Sequence, residues 1–221
     1  MAPQSNTIIY GAASLGDPTI FKELKTEADH IKLLDLLKAN GVTHIDTAQL
    51  YCMGESEATI GRIKAIDRGF TIDTKWIGGW LGKPWASQQT MVNSAKESLR
   101  KLDVKEGQEL DIFYIHCPDL HTPIAETLKG VNRAYRVGGF KRFGLSNFSP
   151  AQVKEVIEIC SKNGYIAPTV YQGSYAAVAR KAEDELFPLL REHKIAFYAY
   201  SPIAGGFLVS TRSSYSREVA Y

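Results

Sequence analysis

Short runs rich in β-branched and aromatic residues alternate with longer amphipathic stretches along most of this chain, with a repeat of about 30 residues. The β-type runs are Ile8–Gly11, Val42–Thr47, Phe70–Trp76, Leu110–His116, Lys141–Ser146, Pro168–Gln172 and Lys194–Tyr200. Helical spacing marks Glu27–Asn40, where Ile31, Leu34 and Leu37 form one stripe and Leu33 and Leu36 another. It also marks Glu55–Lys64, Ser87–Leu102, Thr122–Val137, a segment from Ser149 to Asn163-Gly164, and Glu183–His193. Ser87 reads as an N-cap, Pro123 and Pro150 suit first turns, and Gly41, Gly138 and Gly164 suit stops.

Strict βα alternation implies parallel strands joined by right-handed helical crossovers. An open doubly wound sheet and a (β/α)8 barrel both satisfy it. The first βα turn, Gly11–Gly16, reads GAASLG and lacks the GxGxxG spacing of a dinucleotide-binding turn. The repeat also runs through seven strands with no break for a second domain. The expected fold is therefore α/β, of (β/α)8 TIM-barrel type, and incomplete, with about seven strands and six helices. The barrel domain is expected over 1–208, followed by a polar C-terminal tail, 209–221.

A net charge of +2, with no long Lys/Arg run, argues against a nucleic-acid partner. No apolar run approaches the roughly 20 residues that cross a bilayer, so no membrane partner is expected. Cys52, Cys117 and Cys160 lie far apart and form no CxxC pair, and the start MAPQSNT lacks the character of a secretory signal. A cytoplasmic location is the expectation.

In a parallel barrel, chemistry sits at the C-terminal ends of the strands. The polar residues expected there are Asp46, Tyr51, Lys75, His116, Ser146, Asn147, Gln172, Tyr200 and Ser201. Singly, each has a plain structural reading: a cap, a solvated lysine, a buried histidine, half-buried packing. Together, four of them suit the protonation of a carbonyl oxygen as hydride reaches its carbon. Tyr51 can donate the proton, but an unperturbed phenol titrates at about 10. An ammonium about 4 Å away favours the phenolate by about 4 kcal/mol at an effective dielectric near 20, which is roughly three pK units. Lys75 is expected to lower the Tyr51 pKa in this way. Asp46 would offset the desolvation of Lys75, and His116 would orient the carbonyl.

The segment HIDTAQLYCMGESEATIG resembles the aldo-keto reductase signature, with Asp and Tyr five residues apart and the Gly displaced by Cys52-Met53. FTIDTKW and IHCPD resemble the strands that carry that family's lysine and histidine. FGLSNFS, PTVYQGSY and YAYSPIAGG resemble its nicotinamide and pyrophosphate segments. The resemblance, to the aflatoxin-aldehyde-reductase-like branch, implies a catalytic tetrad of Asp46, Tyr51, Lys75 and His116. It implies nicotinamide contacts at Ser146, Asn147, Gln172 and Tyr200, and a pyrophosphate loop at Ser201, Ile203 and Gly205. It also implies NADPH as cofactor, reduction of a small-molecule aldehyde or ketone, and a homodimer.

The chain departs from the family after Leu208, where the seventh helix, eighth strand, last helix and 2′-phosphate site would follow. Arg212 and Arg217 could meet a phosphate, although a charged, solvated tail is the better reading of them. A shortened relative could descend from a longer parent, or pair its open edges with a second copy. It could also have lost cofactor affinity and use Tyr51 and His116 for isomerisation or cyclisation. Rival readings are a metal-dependent hydrolase using His116, Asp119 and His121, and a regulatory protein without catalysis. Trp76, Trp80, Trp85, Phe148, Tyr175 and Phe207 could line an apolar substrate pocket or simply pack.

Overall fold

The structure is a computed structural model that describes residues 7–17, 19, 22–79 and 86–209. Among the described residues, seven strands and six α-helices alternate. They are β1 (Tyr10–Gly11), α1 (Glu27–Ala39), β2 (His44–Asp46), α2 (Glu55–Arg62), β3 (Thr71–Trp76), α3 (Gln88–Lys101) and β4 (Leu110–Ile115). There follow α4 (Ile124–Val137), β5 (Phe140–Ser146), α5 (Pro150–Asn163), β6 (Pro168–Ser174), α6 (Leu186–Glu192) and β7 (Ala196–Tyr200). All neighbouring strands run parallel, in chain order from β1 to β7. A doubly wound sheet reverses its order at a switch point. Sequential order without reversal belongs to the (β/α)8 barrel, here incomplete and open between β1 and β7.

Local chemistry accounts for the helix boundaries. Thr26 caps α1 in a reciprocal box with Asp29, and Ser149 does the same for α5 with Gln152. Ser87 accepts from the Thr90 amide at the start of α3. Gly164 closes α5 in the left-handed conformation.

Three expected elements are shorter or broken. The first strand is two residues long: among the described residues it has a partner on one side only, and the chain turns at Ala12. The second keeps only His44–Asp46, the stretch in register with β1 and β3. The helix expected over Glu183–His193 is split into a 3-10 turn, Lys181–Glu183, and α6. Pro188 lies in the first turn of α6, where its missing N–H costs no helical bond. Of the two stripes expected on α1, Leu34 is buried and Leu36 is exposed. Of the expected tail 209–221 only Val209 is described, and Arg212 and Arg217 lie outside the described residues.

The apolar core fills the space between strands and helices, with Ile45, Ile72, Phe113, Phe143, Met91 and Val153 among its members. Trp76 and Phe148 belong to it, which removes them from any substrate pocket. Tyr175 packs against Phe187 and Phe197, and its hydroxyl meets Glu183. Phe207 is exposed, and Trp80 and Trp85 lie outside the described residues.

Tyr114 of β4 lies opposite Gly144 of β5, and a Cβ on Gly144 would sit 2.3 Å from the Tyr114 ring. The glycine makes room for the phenol. Toward the strand N-termini, His44 Nε2 lies 2.8 Å from Asp73 Oδ2, and Arg142 holds Asp111 through two hydrogen bonds of 2.9 and 2.6 Å. Burial pulls the His44 pKa down, but Asp73 and then Asp111 outweigh it and the net direction is up. This network ties the base of the sheet together from β2 to β5.

Candidate active site

The opposite end of the sheet gathers the other set of polar residues. Asp46 is the last residue of β2, Lys75 the penultimate of β3, and His116 directly follows β4. All three are buried, Lys75 completely. An ammonium carries three protons, and Lys75 Nζ has three acceptors: Asp46 Oδ2 at 2.5 Å, the Thr47 carbonyl at 2.9 Å and the Tyr51 hydroxyl at 3.3 Å. The charge is thus fully coordinated, as burial of a lysine requires. Asp46 and the other contacts outweigh desolvation and push the Lys75 pKa upward, so the ammonium persists.

Tyr51 arrives on a turn, Tyr51–Gly54, that leads into α2. Cys52, Met53 and Gly54 all have left-handed backbone angles, with φ of 49°, 54° and 92°. This conformation costs roughly 1–2 kcal/mol for each non-glycine residue. The Tyr51 ring lies edge-on to His116, with centroids 5.6 Å apart. Burial, followed by the repulsion of Lys75, pushes the imidazole down to about 3. His116 is therefore neutral across the working range and can donate a hydrogen bond without adding a positive charge.

The expected acidification of Tyr51 is not met. Desolvation raises its pKa, Lys75 lowers it, and Asp46 raises it again; the net direction is up. The buried phenol has lost the water that would stabilise its anion, and the Asp46 carboxylate, 2.5 Å from the ammonium, opposes the effect of Lys75.

The remaining site residues bind one another. Asn147, left-handed at φ 60°, donates from Nδ2 to the His116 carbonyl at 2.9 Å and to Ser146 Oγ at 3.2 Å. It accepts from the Tyr200 hydroxyl at 2.9 Å. Gln172 donates to Asp46 Oδ1 at 3.0 Å, so the carboxylate that holds Lys75 is itself held from β6. Strand-end position alone gave no sign of that contact. Ser201, Ile203 and Gly205 lie exposed on the turn after β7. A cavity of about 350 Å³ between β1 and β7 is lined by Gly11, Asp46, Gln172, Tyr200, Ser201 and Pro202.

Asp119 spends one oxygen on the His121 amide and the other on the Ala86 amide and the Thr122 hydroxyl. It serves the loop rather than an ion. The group with ligand atoms close enough for an ion, among the described residues, is His44, Asp73 and Asp111 at the far end of the sheet. Arg142 already occupies Asp111 there.

The sequence profile of the Aldo/keto reductase family matches residues 7–218. An aldo-keto reductase of Pseudocercospora fijiensis is 38% identical over 190 residues, covering 85% of this chain and 62% of its own length. Aflatoxin B1 aldehyde reductase member 4 of Homo sapiens is 42% identical over 175 residues, covering 76% and 50%. The oxidoreductase sirO of Leptosphaeria maculans is 35% identical over 216 residues, covering 96% and 64%. The chain thus spans between half and two-thirds of the length of these relatives. With seven sequential parallel strands and this profile match, the chain belongs to the aldo/keto reductase family, on its aflatoxin-aldehyde-reductase-like branch.

Proposed function

We propose that this protein reduces a small-molecule aldehyde or ketone to the alcohol, with NADPH as cofactor and Tyr51 as the general acid. The observation that carries the reading is the buried ammonium of Lys75, bonded at once to Asp46 and to the Tyr51 hydroxyl. An arrangement of this kind has little structural purpose, because an apolar residue would fill the space at lower cost. It suits the transient stabilisation of a phenolate.

Gln172, Tyr200 and Ser201 line the strand-end cavity, with Asn147 bonded to its Tyr200 wall and Ser146 bonded to Asn147, and these residues suit the nicotinamide end of the cofactor. Ser201, Ile203 and Gly205 would meet its pyrophosphate. When bound, the reduced nicotinamide supplies the hydride. Tyr51 delivers its proton to the carbonyl oxygen as negative charge develops there, and the Lys75 ammonium stabilises the phenolate left behind. Asp46, fixed by Gln172, keeps Lys75 charged and aimed. Neutral His116 donates a hydrogen bond that orients the carbonyl. A raised Tyr51 pKa keeps the proton in place until the oxygen demands it.

The identity of Gln172, Ser146 and Asn147 with the nicotinamide contacts, the choice of NADPH over NADH, a cytoplasmic location and a homodimeric state are parts of the same proposal. It is tested by following oxidation of NADPH and NADH with a panel of aromatic and aliphatic aldehydes, alongside direct titration of each cofactor. Aldehyde-dependent oxidation of NADPH is expected. Cofactor binding without turnover of any carbonyl would favour the regulatory reading, and no binding at all would favour acid–base isomerisation.

A further inference from the structure

The turn that delivers Tyr51 is strained; its backbone N–H bonds, Tyr51 N to the Ala48 carbonyl and Met53 N to the Leu50 carbonyl, are local, and Cys52 Sγ also reaches the Ala13 carbonyl at 3.4 Å. Three successive left-handed residues would relax if nothing fixed the ends of the turn. On the far side the anchor is Ser56, whose hydroxyl bonds Thr47 and the Ala12 carbonyl. On the near side the anchor is Gln49. Its backbone N–H meets the Lys75 carbonyl at 3.1 Å. Its carboxamide is saturated by α3: Nε2 donates to the Ser94 carbonyl at 2.9 Å and to Ser98 Oγ at 2.8 Å, and Oε1 accepts from Ser94 Oγ at 2.7 Å.

The chain of bonds continues to the other member of the pair. Glu57, a fully buried carboxyl, accepts from Thr74 Oγ1 at 2.6 Å, and Ser98 is among the groups that lower its pKa. Thr74 immediately precedes Lys75. Burial raises the Glu57 pKa, and the Thr74 and Ser98 hydrogen bonds oppose that rise. The Tyr51 turn and the Lys75 strand are therefore referenced to one another through Gln49, whose backbone N–H bonds the Lys75 carbonyl and whose carboxamide bonds Ser94 and Ser98 of α3, along a path separate from the Lys75–Tyr51 contact itself.

We infer that Gln49 is a positioning residue for Tyr51, holding its hydroxyl in register with Lys75 by clamping the strained turn to α3. This rests on the proposed role of Tyr51 as proton donor. The clamp touches neither the cavity-lining residues nor the predicted nicotinamide contacts, so its loss should spare cofactor binding.

The test compares the full chain with Gln49→Leu, which fills the same space without polar groups, with Ser94→Ala, and with the double variant. Gln49→Leu should lower kcat for aldehyde reduction about tenfold or more. The KM for aldehyde and the Kd for NADPH should stay within about twofold. Ser94→Ala should be milder, and the double variant no worse than Gln49→Leu, because both changes break one clamp. A readout independent of turnover is the ionisation midpoint of Tyr51, followed by NMR with tyrosine labelled at Cζ. Gln49→Leu should move that midpoint, since it alters the distance to Lys75. An unchanged kcat and midpoint, or a loss of NADPH binding in step with kcat, would overturn the inference. If the unaltered chain reduces no carbonyl, the functional reading fails, and the midpoint alone then decides the positioning role. If Gln49→Leu does not fold, Ser94→Ala and Ser98→Ala carry the same measurements and must each shift the midpoint.

Discussion

At the residue scale, the site is a problem of where protons stay. Lys75 keeps its charge because three acceptors replace three waters, and His116 loses its charge because burial, and then the Lys75 ammonium, disfavour a second cation there. Tyr51 stays protonated for a related reason: its burial disfavours the phenolate more than the Lys75 ammonium favours it, and Asp46 adds to the rise. The sign for catalysis follows. His116 is pushed down to about 3, and the Tyr51 and Lys75 pKa values are raised, so none of these three changes charge near neutrality. The kcat for carbonyl reduction should be flat from about pH 5 to about pH 9 and decline only on the alkaline side, as proton donors are lost. A steady-state pH profile checks this, and a limb near pH 6.5 would assign a titrating role to His116. That Asp46, Tyr51, Lys75 and His116 gather at one end of the sheet could be read from strand-end placement and motif. The direction of the Tyr51 shift could not, because it depends on burial and on a charge partner whose distance no sequence records. Gln49 was equally hidden: a lone glutamine in a turn has no periodicity, and its partners lie 45 and 49 positions away.

At the element scale, the order and type of the elements were legible because hydrophobic period, caps and glycine stops agree with one another. Boundaries were less so. Strand lengths at β1 and β2 depend on how many partners each strand finds, which is a property of the sheet and not of the run. The interior is similarly non-local. Gly144 looks like a weak point in β5, yet it accommodates the Tyr114 ring. Gly144→Ala should destabilise the fold by about 1–3 kcal/mol, because a buried aromatic ring has no free direction in which to yield. Urea unfolding at fixed pH measures it, and a change below about 0.5 kcal/mol would mean that the ring moves aside at little cost. The His44–Asp73 and Arg142–Asp111 pairs were also unread, since a charged residue in a strand reads from sequence as solvent-facing.

For the whole molecule, the seven strands leave β1 and β7 each paired on one side among the described residues. Ile8, Ile203, Phe207, Leu208 and Val209 are exposed at or near these edges. Unpaired strand edges with apolar neighbours favour association. Sedimentation of the 221-residue chain should therefore show a mass that grows with concentration, and Phe207→Glu should weaken that growth. A concentration-independent monomer would show that the open seam is satisfied within one chain. The central claim, hydride transfer to a carbonyl protonated by Tyr51, is tested most directly with NADPH deuterated at the transferring position. The account predicts that the alcohol carries the deuterium on the former carbonyl carbon, and that Tyr51→Phe, which keeps the ring but removes the proton, forms it at least about a hundredfold more slowly. Unlabelled alcohol, or undiminished turnover by Tyr51→Phe, would contradict it.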